Sequence, residues 1–288
     1  MVVLENDELK VSLSSKGAEL MSIIDKKDQT EFIWQGNPEY WAYHAPHLFP
    51  VVGGLNQNSL LVDGNLYPLS RHGFARTSTF RRIESAPQQA IFELRYNQET
   101  LAAYPYKFEF QVIYFLVNRS LKVVYKVINL DSKDIYFSVG AHPGFNVPFN
   151  NETSFEDYYI EFQTDEHLES HQLAANGLFN NERVSVLTED NKLALSYDLF
   201  EKDALVFKNI QSRSVILKSK KSNKQVKVDF PNFNYLGLWS KSKAPFICIE
   251  PWLGCADADG NQLDISKKEA IQQLKHGHVF ETDFTITV

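Results

Sequence analysis

The sequence predicts an all-β protein, a large antiparallel β-sandwich with few short helices. Three observations carry that expectation. Apolar and polar residues alternate with period two from one end of the chain to the other, as half-buried strands require. Turn signals separate these runs, and no rhythm of strand, helix and strand marks a parallel sheet. Aromatic residues make up 13% of the chain, with 21 Phe and 13 Tyr. Such side chains suit a pleated surface. They also suit stacking against a sugar or a base, and the count does not choose between the two.

The elements follow in order. Leu9–Leu13 and Ala90–Tyr96 read as strands, and a helical turn is expected around Glu99–Tyr104. "YKFEFQVIYFL" puts Phe108, Phe110, Val112 and Tyr114 on one face and Lys107, Glu109 and Gln111 on the other. After Asn118-Arg119, "LKVVYKVINL" aligns Leu121, Val123, Tyr125 and Val127, so the pair predicts an antiparallel hairpin. Ile135–Val139 and Tyr159–Phe162 are further strands, while 163–195 is polar and irregular. "SVILKSKKSNKQVKVDF" predicts a second hairpin turning at Ser222-Asn223, with Lys218 to Lys224 at a solvated tip. Phe246–Glu250 and Phe284–Val288 complete the strands. Ser266 and Glu269 have capping-box spacing and predict a short helix over 266–274.

A chain of 288 residues that is 43% hydrophobic can bury a large core. No repeat or long linker divides it, so one domain over 1–288 is expected. The net charge of −7 argues against a nucleic-acid partner. No apolar run approaches the roughly 20 residues that span a bilayer. Two cysteines, Cys248 and Cys255, without a disulfide pattern suit a reducing compartment. The N-terminal "MVVLENDELK" has neither signal-peptide nor transit-peptide character. These features together predict a soluble cytoplasmic protein.

Three stretches hold an ionisable group in a Gly- or Pro-rich turn or strand end: "RHGFAR" (71–76), "AHPGFN" (141–146) and "ICIEPW" (247–252). His142 and Glu250 each precede a proline, which narrows their backbone to extended conformations and so aims their side chains. Gly140 and Gly144 offer positions for φ > 0 or for close approach of a ligand. Burial of Glu250 among its apolar neighbours would raise its pKa toward neutrality and make it a general base. A histidine titrates in the same range and can donate a proton. Each feature also has a plain structural alternative: a His-Pro turn in a loop, a carboxylate at a strand end pointing to solvent, and Arg71 and Arg76 as surface charges. His44 and His47 have a metal-like spacing. No further ligand completes a set, and neither metal nor cofactor is expected. His276 and His278 read as turn residues, and Cys255 shows no nucleophile signature.

In this order, the stretches resemble the galactose mutarotase (aldose 1-epimerase) family. In particular they resemble its LacX-like branch, which is also similar to the glucose-6-phosphate 1-epimerase group. The likeness runs from "GAELMSIID" through "LLVDGNLYPLSRHGFAR", "GAHPGFNVP" and "KDALVFKNI" to "PFICIEPWLG" and "LKHGHVFETDFTI". It implies the galactose mutarotase-like supersandwich and interconversion of the α and β anomers of a hexose. It makes His142 the acid that protonates the ring oxygen and Glu250 the base at the anomeric hydroxyl, the two facing each other across a hollow one pyranose wide. His72, Arg76 and Asp203 would bind the sugar, with Trp239 or Phe74 stacked on its face. One departure stands out: the family's substrate-binding arginine falls at about Gly54 and is missing, and Arg76 follows the His-Gly-Phe stretch instead. The partner is then a monosaccharide or a sugar phosphate, the latter through Arg71, Arg76 or Lys241. A non-catalytic sugar-binding or regulatory protein is the alternative of another class. A glycoside hydrolase would need a second flanking carboxyl group. The sugar and the oligomeric state stay open.

Overall fold

Strict alternation of burial along Phe108–Val117 and Ser120–Asn129 sets one face of the expected hairpin against the core. Residues 110 and 127, 112 and 125, and 114 and 123 pair across it. Two residues, Asn118 and Arg119, close the turn, and Asn118 takes φ +50°, the left-handed value that a tight hairpin favours. The computed structural model describes residues 1–150 and 153–288.

Two large antiparallel sheets organise the described residues. One has nine strands in the order 192–194, 158–162, 214–219, 225–229, 279–287, 120–129, 108–117, 89–95 and 81–86. The other has eight, in the order 179–186, 168–173, 205–208, 235–239, 246–253, 139–141 and 47–48, with 144–146 also paired to 246–253. A three-stranded sheet (2–5, 9–13, 20–25) and two small hairpin-sized sheets complete the β structure. The inner faces share one apolar core. Phe49 stacks on Phe110 at 4.5 Å, and Phe162 meets Phe207 edge-on at 6.0 Å. This is the expected β-sandwich, and no helix among the described residues is long and apolar enough to cross a membrane.

The helical turn expected at 99–104 is present as Gln98–Ala103, capped by the Asn97 side chain on the Thr100 amide. The helix expected over 266–274 is not. A three-residue turn, Ile265–Lys267, gives way to the strand Gln272–Leu274, which pairs with Ile135–Phe137. The capping box fails because its partners are engaged elsewhere. The Ser266 hydroxyl donates to Asp264, the Glu269 carboxylate accepts from Lys208 and Tyr235, and Lys268 turns inward onto Asp257. The polar stretch 163–195 also departs from expectation. It carries the strands Leu168–Leu173, Phe179–Val186 and Lys192–Ala194. Phe179–Val186 is a sheet edge exposed over most of its length, so it lacks the apolar alternation by which strands are read.

One buried polar contact joins the two sheets. His47 lies between the Tyr125 hydroxyl, 2.7 Å from Nδ1, and the Tyr114 hydroxyl, 2.7 Å from Nε2. The Tyr114 hydroxyl donates to the Ala18 carbonyl and so accepts from Nε2, which leaves Nδ1 to accept from Tyr125 at 2.7 Å in preference to the Gly140 carbonyl, which lies 3.2 Å from the same hydroxyl. Burial holds this imidazole neutral, its pKa pushed down to about 3. Tyr125→Phe should therefore strand a buried acceptor and cost about 1–3 kcal/mol, read as a lower midpoint in urea or thermal unfolding.

Candidate active site

The strand Phe246–Leu253 turns Phe246, Cys248, Glu250 and Trp252 to one face, since successive side chains alternate. Its neighbour on one side is not continuous. Residues 139–141 pair with its end, Gly140 opposite Trp252, and 144–146 pair with its start, Gly144 opposite Cys248. His142-Pro143 is the gap between these two ladders, and it lies directly opposite Glu250. Proline cannot donate to a ladder; the Pro143 carbonyl instead accepts from the Ile249 amide at 3.1 Å. The imidazole and the carboxyl are thereby cross-strand neighbours on the same face, His142 Nε2 lying 3.2 Å from Glu250 Oε2. They touch, rather than standing on opposite sides of a pyranose-wide hollow.

Close packing, not an unusual backbone, accounts for the glycines around His142. A Cβ on Gly140 would lie 2.6 Å from the Trp252 indole, and one on Gly144 would lie 3.1 Å from Trp41 and 3.2 Å from Trp34. Neither glycine is among those with positive φ. The loop is held from behind through Glu19, whose buried carboxylate accepts from the His44 and Ala45 amides at 2.7 and 3.0 Å. The His44 and Pro46 carbonyls in turn accept from the Gly144 and His142 amides.

His142 and Glu250 line a cavity of about 630 Å³, with His72, Arg71, Arg76 and Asp203 among its other polar groups. The His142 ring stacks on Trp41 at 4.8 Å and meets His72 and Trp239 edge-on at 5.7 and 5.9 Å. Burial lowers its pKa to about 3, and the Arg76 and Arg71 guanidiniums add to the effect. Burial raises Glu250 well above the usual carboxylate range, only partly opposed by Arg71. Both groups favour their uncharged forms, so the proton between them rests on the carboxyl. His142 Nδ1 is buried with no hydrogen-bond partner, and the buried Glu250 Oε2 has only its 3.2 Å contact with His142 Nε2.

The structure brings His142, Glu250, His72, Arg76, Asp203 and Trp239 to this cavity, with Arg71 and Lys241. His72 has φ +68°, and its Nδ1 accepts from the Gly53 amide at 3.1 Å; burial and the neighbouring His142 hold it neutral. Arg76 is anchored by a hydrogen bond to the Arg71 carbonyl and lies over the Tyr43 ring at 5.2 Å. Asp203 faces Arg71 at 4.0 Å, a loose, partly exposed pair of little stabilising value. Trp239 forms one wall. Phe74 does not: it packs into the core on Phe49, Tyr104 and Phe108. The sequence reading missed Trp41, in "EYWAYHAPH", and Cys248, which lies buried beside the pair. Trp41 comes from a loop with no periodicity. The two-residue spacing of Cys248 from Glu250 on one strand was the available signal for the other.

Gly54 is closed off. A Cβ there would lie 3.0 Å from both the Gly177 carbonyl and Leu178. Arg71 occupies the neighbouring space, since a Cβ on Gly177 would meet its guanidinium at 2.7 Å.

A two-sheet antiparallel sandwich with an aromatic-walled cavity over one sheet defines a galactose mutarotase-like protein. Known proteins agree. The family model described as aldose 1-epimerase matches residues 1–265. Protein LacX of Lactococcus lactis subsp. lactis is 37% identical over 274 residues, 91% of each chain. A galactose mutarotase related enzyme from Lactobacillus acidophilus has 36% identity and a TM-score of 0.94, over 99% of this chain and 96% of that one. A galactose mutarotase-like protein from Lactobacillus casei has 31% identity and a TM-score of 0.94, over 100% and 99%. The chain belongs to the aldose 1-epimerase family.

Gly73 sets the entry to His72. Its φ is +71°, and a Cβ would come within 2.3 Å of the Phe49 carbonyl, which itself receives the Phe74 and Ala75 amides. Gly73→Ala should destabilise the fold by more than about 1 kcal/mol, seen as a lower thermal midpoint.

Proposed function

We propose that this protein interconverts the α and β anomers of an aldohexose, with His142 and Glu250 as the proton-transfer pair. The observation that carries this reading is the 3.2 Å contact between the two groups at one cavity wall. The two oxygens that must exchange protons, the ring oxygen and the anomeric hydroxyl, are bonded to the same carbon. An acid and a base side by side can reach both at once, which groups on opposite walls could do less easily.

Seating the sugar returns hydrogen bonds to two buried groups that lack them, and so favours their charged forms. The shared proton passes from Glu250 to His142. The carboxylate then takes the proton of the C1 hydroxyl while the imidazolium gives its proton to the ring oxygen. The C1–ring oxygen bond breaks and leaves an aldehyde. Rotation about C1–C2 presents the other face of the carbonyl, and the ring closes as both proton transfers run in reverse. Positioned acid and base groups contribute about 10²–10⁴-fold each, and mutarotation already proceeds in water, so two groups suffice. His72, Arg76 and Asp203 hold hydroxyls, and Trp239 and Trp41 supply apolar walls for the sugar's C–H face.

A phosphorylated hexose is the second reading. It is favoured by Arg71, whose side chain is 42% exposed at the cavity, donates through Nε to His72 and keeps its Nη1 4.0 Å from the nearest carboxylate, and by Lys241 at the same cavity.

Glu250→Gln should lower enzyme-dependent anomer exchange by about 10²–10⁴-fold with an unchanged unfolding midpoint, measured by polarimetry or exchange NMR. Unchanged turnover in that variant would remove Glu250 from the mechanism. A panel of galactose, glucose and their 6-phosphates separates the two readings. If phosphate is recognised, Arg71→Ala should slow exchange of the phosphates alone. Calorimetric binding of a sugar whose exchange rate stays at the solution value would make the protein a binder.

A further inference from the structure

Cys248 has no part in the proton chemistry, yet it shares a strand face with Glu250 and lies against the proton-transfer pair. One ligand atom each from His142, Cys248 and Glu250 fall within 4.8 Å of one another, and all three residues are buried. Their chemistry is mixed: an imidazole nitrogen, a thiol sulfur and a carboxyl oxygen. That combination selects zinc-like cations over magnesium or calcium, which prefer oxygen alone. Geometry agrees. With metal–nitrogen and metal–oxygen bonds of about 2.0–2.1 Å at a tetrahedral angle, the two ligand atoms stand about 3.3 Å apart. His142 Nε2 and Glu250 Oε2 stand 3.2 Å apart without any metal.

A second observation points the same way. Apart from its 3.2 Å contact with His142 Nε2, Glu250 Oε2 is fully buried and meets no polar partner. A buried oxygen with that one contact alone has room in its coordination for a further partner.

We propose that His142, Cys248 and Glu250 form a three-ligand site for a thiophilic divalent cation such as Zn²⁺, whose fourth position opens into the sugar cavity. Coordination releases the thiol proton of Cys248 and the carboxyl proton to solvent. The dication and its two anionic ligands then sum to zero charge, which offsets the opposition of Arg71 and Arg76 to an added cation. His142 Nδ1 has no outer partner to orient the ring as a ligand. Binding is therefore reversible and open to chelators. Occupancy consumes both members of the proton-transfer pair, so Zn²⁺ acts as an inhibitor that competes with sugar. This inhibitory half rests on the function proposed above, whereas the site itself does not.

The purified full-length protein is titrated with CoCl₂ and, separately, with ZnCl₂. One equivalent of Co²⁺ should produce a thiolate-to-metal charge-transfer absorption in the near ultraviolet, and this should be absent in Cys248→Ser and Cys248→Ala. Zn²⁺ should raise the thermal midpoint of the wild type alone, and MgCl₂ should not. Zn²⁺ should also suppress anomer exchange until EDTA is added. Both Cys248 variants should keep basal exchange and need at least ten times more Zn²⁺. Two variants are used because a buried serine hydroxyl can perturb folding where alanine does not. A missing Co²⁺ band in the wild type, or equal Zn²⁺ sensitivity in all three proteins, overturns the site. A Co²⁺ band in a protein with no exchange activity would instead overturn the function and leave the site standing.

Discussion

A gap in one β-ladder is the constraint from which the site follows. Strand 246–253 would pair continuously with 139–146 if His142-Pro143 did not interrupt it. Pairing resumes in the same register on both sides, so the interruption leaves His142 directly opposite Glu250. Opposed side chains on one sheet face lie within contact range. Two ionisable groups distant in sequence are thus joined by backbone register, with no dependence on a flexible loop. Aromatic rings packed around them bury the pair on its other sides. Trp41 covers the imidazole, Trp239 and His72 close its edges, and Trp252 lies over Gly140.

Burial then decides the electrostatics. A carboxyl 1% exposed and an imidazole 9% exposed both pay for charge, and neither has a full set of hydrogen-bond partners. An uncharged pair is the outcome, the reverse of an ion pair at rest. The same shortage of partners makes the pair responsive to whatever enters the cavity. Further back, the inter-sheet contact of His47 with Tyr114 and Tyr125 is fully satisfied and equally neutral. Two buried histidines a few residues apart in space thus serve opposite ends: one has every bond made, the other has one open nitrogen.

Much of this was legible in the sequence. Alternation along 107–128 gave the central hairpin because that segment is half-buried and its turn is a two-residue Asn-Arg. Pre-proline backbone around His142 and Glu250, with glycines beside the first, marked the ladder gap before its register could be known. What failed did so for nameable reasons. The box at Ser266–Glu269 lost to tertiary partners, Asp257, Lys208 and Tyr235, that lie far away in sequence. Edge strand 179–186 faces solvent on both sides and carries no period. Phe74, expected with Trp239 as a stacking platform, instead packs on Phe49, Tyr104 and Phe108, partners no local pattern reveals. Trp41 carried no local signal, since its partners, His142, Trp239 and Phe246, lie about 100 to 200 residues away in sequence.

The contact of Gly54 with Gly177 bears on how this chain can change. A lone exchange of Gly54 for arginine would drive its side chain into the carbonyl of 177 and into Leu178. Acquiring that residue would call for the 174–178 turn to retreat first, and that turn supports the guanidinium of Arg71. Position 54 and Arg71 flank the same turn, so an arginine at 54 and the present placement of Arg71 are coupled through residue 177.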